Sequence, residues 1–406
     1  MESQALVSAI LAKLPKIGKW QNQFIAHLIP LFMSIKGRIN FMQMSRFGNY
    51  SMTTYRNQFD KPFAFGEFNA EHVRQKGSGY HAIFFDPSHI RKSGKHTFGK
   101  GLYWSGCDSS MKQGLEIGGI AVGDIVNHTA FHYEAVQTPT TATLKSKGKT
   151  LLENYADLLI ERQDSLLQFS DLLAVDAYFS KRSFVDRILN KSKFKLISRL
   201  RDDAVMYYLF TGLPSGKRGR PQLYDGKIDP HNPNQQHLPI CYQDAEIKIF
   251  SGVIYVKSLD RKVKISIAHY LDANTGKTKA IKTYFCTDIC LSGWHIVKVY
   301  KLRFQIEFLY RDANQFAGLE QCQARSEQKL YYHFNMALTT VSIAKSVHYL
   351  SLPLQERQGF SMADVKTLYH NKLLLDRFFQ VFAIDPNKHK NNPKVKELYN
   401  FGIIAA

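Results

Sequence analysis

Through the first 75 or so residues, apolar positions recur every three or four places, as in LVSAILAKLPKIGKWQNQFIAHLIPLFMSIKGRINFMQMSRF, which gathers them on one helical face. Pro15, Gly37 and Gly48 cut this run into short helices with tight joints. A helix ending near Gly48, an N-cap at Ser51 and a second helix carrying Thr53, Thr54, Arg56, Asn57 and Gln58 predict a helix-turn-helix. From about residue 80 the pattern becomes that of strands. HAIFFD, GLEIGGIAVGDI and TAFHYEAVQ predict three consecutive strands, followed by a helix at ENYADLLIERQDSLLQF, a strand at LLAVDAY, a helix near KRSFVDRIL and a strand at KFKLISRL. Residues 203–290 begin as a Gly-, Pro- and Asn-rich loop, PSGKRGRPQLYDGKIDPHNPNQQ, and continue as antiparallel strands, EIKIFSGVIYVKS, VKISIAHYL and AIKTYFCT. YKLRFQIEFLYRDAN then reads as one helix, GLEQCQARSEQKLYYHFNMALTTVSIAKSVHYLSL as one long helix, and SMADVKTLYHNKLLLDRFFQVFAI as another. The expected class is α/β (α+β), a mixed sheet flanked by helices. Its divisions are a helical region at 1–75, a sheet region at 76–202, a β-rich insertion at 203–290, a return to the sheet region at 291–350 and a C-terminal helical region at 351–406.

Composition narrows the partners. With 54 Lys plus Arg against 34 Asp plus Glu, the formal charge is +20, which draws polyanions and makes nucleic acid the natural partner. Five scattered cysteines make no disulfide framework, and Cys286, Cys290 and His295 lack the second ligand pair of a structural zinc site. FIAHLIPLFM contains Pro30 and a histidine and predicts a core helix, not a membrane span. With no apolar leader at the start of the sequence, the expected setting is cytoplasmic, with no membrane partner.

The candidate chemistry lies in three places. Tyr300, Arg303 and Glu307, spaced by three and four residues, project from one helical face and bring a phenol, a guanidinium and a carboxylate to one spot. Far upstream, Asp86 and Asp176 each end an apolar run, a setting in which an ionised side chain requires a partner or a metal. Three carboxylates supply hard oxygen ligands that suit Mg2+ or Mn2+, and a pair of such ions about 4 Å apart would activate the attacking oxygen and stabilise the leaving one. Asp124, Glu116 and Asp186 are rival acids, ranked lower because Asp124 falls in a turn sequence and the others do not end strands.

These residues resemble the signature of the DDE-type transposases of insertion sequence family four, which is Tyr, two residues, Arg, three residues, Glu, six residues, Lys. Tyr300, Arg303 and Glu307 keep the spacing, while Asn314 stands where the lysine belongs and Arg311, one turn past Glu307, offers a positive charge instead. DPSHIRKSGKHTFGKGLYWS around Asp86, VDAYFSKRSF around Asp176, GKRGRPQLYDGK and GLEQCQARSE extend the resemblance over almost the whole chain. It implies a ribonuclease H-like sheet whose first and fourth strands are neighbours, with Asp86, Asp176 and Glu307 holding two Mg2+ or Mn2+ ions and Tyr300 and Arg303 positioning phosphate. It further implies an N-terminal domain gripping the element's end, here through Arg56 and Asn57, and an insertion pressing on that end through Lys217, Arg218 and Arg220. Lys92, Lys95 and Arg311 are candidates for further contacts to the DNA backbone. The implied activity is cut-and-paste transposition by a homodimer on double-stranded DNA, at terminal inverted repeats and a target. A ribonuclease H-like nuclease that only cleaves, and a catalytically inactive DNA-binding derivative, are the alternatives.

Overall fold

The computed structural model describes residues 2–213, 221–389 and 392–404. Five helices open the chain: α1 (Glu2–Ala12), α2 (Lys19–Ser34), α3 (Phe41–Phe47), α4 (Met52–Phe59) and α5 (Phe65–Lys76). The joint between α3 and α4 is specified locally. A Cβ on Gly48 would collide with the Tyr55 hydroxyl, and Ser51 caps α4 by accepting from the Thr54 amide at 3.1 Å. Pro30 lies inside α2, which is buried continuously from Leu28 to Ser34, as a core helix requires.

The strands are β1 (His81–Arg91), β2 (Gly101–Ser105), β3 (Ser110–Asp124) and β4 (Thr129–Gln137). After the helices α6 (Thr141–Ser146), α7 (Leu151–Glu161) and α8 (Gln163–Leu166) come β5 (Leu172–Val175), α9 (Arg182–Lys191) and β6 (Lys195–Arg199). β7 (Met206–Leu209), β8 (Tyr224–Lys227), β9 (Ile240–Gln243), β10 (Ile247–Val256), β11 (Arg261–Leu271) and β12 (Thr278–Cys286) follow. The chain then runs through α10 (Gly293–Leu302), α11 (Gln305–Phe316), α12 (Glu327–His348), α13 (Met362–Val381), α14 (Pro386–His389) and α15 (Pro393–Asn400). Among the described residues the strands make one twelve-stranded mixed sheet in the order β2-β3-β1-β5-β6-β12-β11-β10-β7-β8, with β4 beside β3 and β9 beside β10. β5 runs parallel to β1 and to β6, and the other ladders are antiparallel. A parallel step needs a crossover, supplied here by the segment holding α6, α7 and α8.

Alternation along β1 divides the core. Ala82 and Phe84 pack with the N-terminal helices, α11 and α12, while Ile83 and Phe85 pack with α7 and α9 on the opposite face. α12 is buried from Tyr332 to Val347 and also closes the free edge of β4. Asn335 accepts from the Ala135 amide and donates to the Ala135 carbonyl, both at 2.8 Å. Among the described residues no helix is long and apolar enough to cross a membrane.

Three expectations change, and a fourth gains a detail. The short GLYWS segment adds a strand, β2, between the first two expected. The helix expected over ENYADLLIERQDSLLQF breaks at Arg162, whose Nε donates to Glu134 at 2.7 Å. The long helix expected from residue 318 starts only at Glu327, because Gly318 takes a positive φ of 69° and the chain loops as far as residue 326. The antiparallel strands expected in 203–290 continue the same sheet, β12 pairing with β6 at Tyr284–Arg199, Phe285–Ser198 and Cys286–Ile197.

Candidate active site

Neighbouring strands place the two aspartates side by side. The parallel ladder pairs Ile83 with Leu173, Phe84 with Ala174 and Phe85 with Val175, so Asp86 and Asp176 are the next residues on each strand. Asp176 follows the last residue of β5, as expected. Asp86, expected at a strand end, sits in the middle of β1, which runs on to Arg91 against β3. Only its pairing with β5 stops there. Pro87 then follows, and proline cannot donate to a ladder.

Opposite Asp86 on β3 is Gly119, and a Cβ there would collide with the Tyr310 hydroxyl. The glycine lets Tyr310 reach down from α11 and donate to the Asp86 carbonyl at 2.6 Å, fixing the helix over the acid.

Tyr300, Arg303 and Glu307 do not share one helix. α10 ends at Leu302 and α11 starts at Gln305, and Arg303 and Phe304 form the turn between them. Both keep right-handed helical dihedrals, but the hydrogen bonds tighten to the i−3 type, with Ile306 N to Arg303 O at 3.0 Å and Glu307 N to Phe304 O at 3.1 Å. The side chains still converge, and Glu307 lies in the first turn of α11, where the helix dipole favours a carboxylate.

Arg303 occupies the centre. Its Nη1 lies 3.4 Å from Asp86 Oδ1, and its Nη2 lies 3.1 Å from Glu307 Oε1 and 3.9 Å from Asp176 Oδ1. The Tyr300 hydroxyl donates to Asp176 Oδ1 at 3.2 Å, and Ser198 holds the Asp176 carbonyl at 2.9 Å. The Arg303 side chain is 9% exposed and that of Asp86 20%, against 46% for Asp176 and 38% for Glu307. The site is therefore a charged floor with two carboxylates at an open mouth.

Burial pushes the Asp86 carboxyl up to about 7; Arg303 opposes the shift, and Glu307 and Asp176 add to it. Burial also lifts the Tyr300 phenol to about 12, with Asp176 contributing, so it stays a donor. Burial alone would lower Arg303, but Asp86 and the other acids around it hold its proton more firmly than usual.

No protein-family model matches the chain, and no curated protein matches it either. The site has to be read from its own residues.

The three carboxylates offer only hard oxygen donors, which in kind fit Mg2+ or Mn2+. In this arrangement Arg303 fills the space between them, and among the described residues no three acidic, histidine or cysteine side chains form a ready coordination sphere. The rival acids are all engaged elsewhere. Asp124 accepts from Ser78 and Asn127, Glu116 accepts from Tyr155, and Asp186 pairs with Arg182 and Arg261.

The structure does not bring the other candidates to the carboxylates. Arg56 and Asn57 lie on the exposed face of α4, and Lys92 and Lys95 lie beyond the end of β1. Arg311 turns to its neighbour Asp312 at 2.9 Å and stacks over Phe308. Lys217, Arg218 and Arg220 lie outside the described residues. Sequence reasoning missed Tyr310, Ser198 and Arg199. Arg199, on β6, adds positive charge beside Tyr300. Its signal was its place on the strand after Asp176, which a parallel neighbour sets beside the acid.

Proposed function

We propose that the chain is a DDE-type DNA transposase, cleaving phosphodiesters at the ends of a DNA element and joining the freed 3′ hydroxyls to target DNA. The observation that carries the reading is the convergence of Asp86, Asp176 and Glu307 on one buried guanidinium from three separate elements. Nothing in packing requires three carboxylates there, and burial of Asp86 costs stability. The neighbouring of β1 and β5, with β3 and β4 outward of β1 and β6 beyond β5, supports a ribonuclease H-like sheet. The charge of +20 supports a polyanionic substrate.

Asp86, Asp176 and Glu307 would hold Mg2+ or Mn2+. Bound there, such cations supply positive charge beside the phosphodiester oxygens and ease deprotonation of the attacking water or hydroxyl. Tyr300 orients Asp176 through its donated hydrogen bond, and Arg303, with donors in a planar fork, offers a bidentate grip on a phosphate. Asp176 and Glu307, at the mouth, meet the substrate first, and Asp86 lies deeper.

The test is cleavage of a linear duplex carrying the DNA that flanks the coding sequence, with Mg2+, by the wild type, Asp86→Asn and Glu307→Gln, with binding recorded at matched salt. Metal-dependent cutting that falls at least a hundredfold in both variants while binding is kept is the expected result. Equal behaviour of all three proteins would leave a DNA-binding protein and overturn the enzymatic reading.

A further inference from the structure

β1 and α11, which carry Asp86 and Glu307, run on to two cavities with basic linings. One cavity of about 390 Å³ is lined by Lys36, Arg38, Gln315 and Gln321, and a larger groove of about 1050 Å³ shares Arg38 and Gln321 and adds Lys92, Lys100, Lys112 and Arg325. Arg38 and Gln321 line both cavities, which are therefore neighbours, and together the two make up the trough. Its walls are the joint after α2, the loop after β1, the start of β3 and the loop before α12. They are tied together by hydrogen bonds: Ile39 N to Gln321 Oε1 at 2.6 Å, Phe98 N to Arg325 O at 2.9 Å and Gln137 Nε2 to Phe98 O at 2.9 Å. The trough is thus built in advance. Its lining includes two acids, Asp108 and Glu320, and Asp108 lies 4.0 Å from Arg91. Lys366, at the floor, already donates to the carbonyls of Phe32 and Ile35 and is not a free ligand.

Its distance from the acids can be read on two rulers. From Asp86 to the end of β1 at Arg91 and one residue on to Lys92, six steps span at most about 20 Å. Along α11, the eight steps from Glu307 to Gln315 span about 12 Å. At 3.4 Å per base pair these lengths correspond to roughly four to six base pairs of duplex.

We infer that this trough seats the DNA backbone about four to six base pairs to one side of the scissile phosphate. The inference rests on the DNA-processing reading above and adds where the flanking duplex lies. Lys36, Arg38, Lys112 and Arg325 are exposed, while Lys92 and Lys100 are half-buried, and Lys100, which donates to the Ser93 carbonyl at 3.2 Å, keeps further ammonium protons for a phosphate. The contacts are to the backbone, which fixes register without reading sequence.

The experiment is phosphate-ethylation interference on the flanking-DNA duplex, with the full chain, comparing the wild type with the combined Lys92→Gln, Lys100→Gln, Lys112→Gln variant and with Glu320→Gln. The wild type should show a cluster of interfering phosphates about four to six base pairs from the cut, which the triple variant loses. The triple variant should also bind at least about tenfold more weakly at low salt, with a salt slope shallower by roughly three. Glu320→Gln should bind more tightly than the wild type, a gain that misfolding cannot produce. If the triple variant keeps the wild-type interference pattern and affinity while the wild type cuts, the trough is overturned and the enzymatic reading stands. If the wild type binds no duplex, both fall together.

Discussion

Arg303 is the side chain on which the site depends. Replacing it with glutamine leaves Asp86, Asp176 and Glu307 facing one another without a counter-ion, at an expected cost of roughly 2–4 kcal/mol once their partial exposure is discounted. Urea unfolding of Arg303→Gln in a chelator should show that loss, and millimolar Mg2+ should restore part of it; no recovery would count against a cation-binding triad. Asp86 makes the opposite contribution. Its folded carboxyl is raised to about 7 from an unfolded value near 3.8, so the folded state loses stability as pH climbs from about 4 to 7. Asp86→Asn should therefore gain on the wild type by ~3 kcal/mol between pH 4.5 and pH 8 in chemical denaturation, and a pH-independent difference would refute the assignment. The convergence of Asp86, Asp176, Tyr300, Arg303 and Glu307 was legible through the helical spacing of the last three and the resemblance that sets them with the two acids, although Asp86 does not end its strand. Tyr310 was not. It reads as a core aromatic, and its polar role depends on a carbonyl 224 residues away.

At the scale of elements, the sequence disclosed which segments are helices and strands better than where they break. Tyr300, Arg303 and Glu307 fit one helical repeat, and the turn at Arg303 and Phe304 preserves that repeat locally, so periodicity cannot distinguish two helices from one. Likewise, nothing in the spacing of EIKIFSGVIYVKS and its neighbours reveals that β12 joins β6, because pairing between distant strands is settled by tertiary packing. The glycine of β3 is the element-level determinant of the site. Gly119→Ala would drive Tyr310 off the sheet and cost about 1–3 kcal/mol, with a drop in any metal-dependent activity. In a double-mutant cycle, Tyr310→Phe should offset part of that cost, since the hydroxyl is the colliding atom. Strictly additive losses would show that Gly119 matters for another reason.

For the whole molecule, the excess of basic residues makes any duplex binding steeply salt-dependent. A footprint of six to ten phosphates predicts a loss of roughly 10³ to 10⁵ in affinity between 50 and 200 mM salt, measurable by fluorescence anisotropy, and a flat response would argue against a backbone-binding protein. Charge and length were open to reading from composition, whereas the union of all described strands in one sheet was not. The span between Asp86 and its counter-ion has a further consequence. The Asp86 carboxylate meets Arg303 only after another 217 residues have been made. During synthesis β1 cannot be covered at Asp86 by its helix until about three quarters of the chain has left the ribosome. A nascent or truncated chain ending before α10 carries Asp86 and Asp176 without the Arg303 guanidinium, so the cluster closes late.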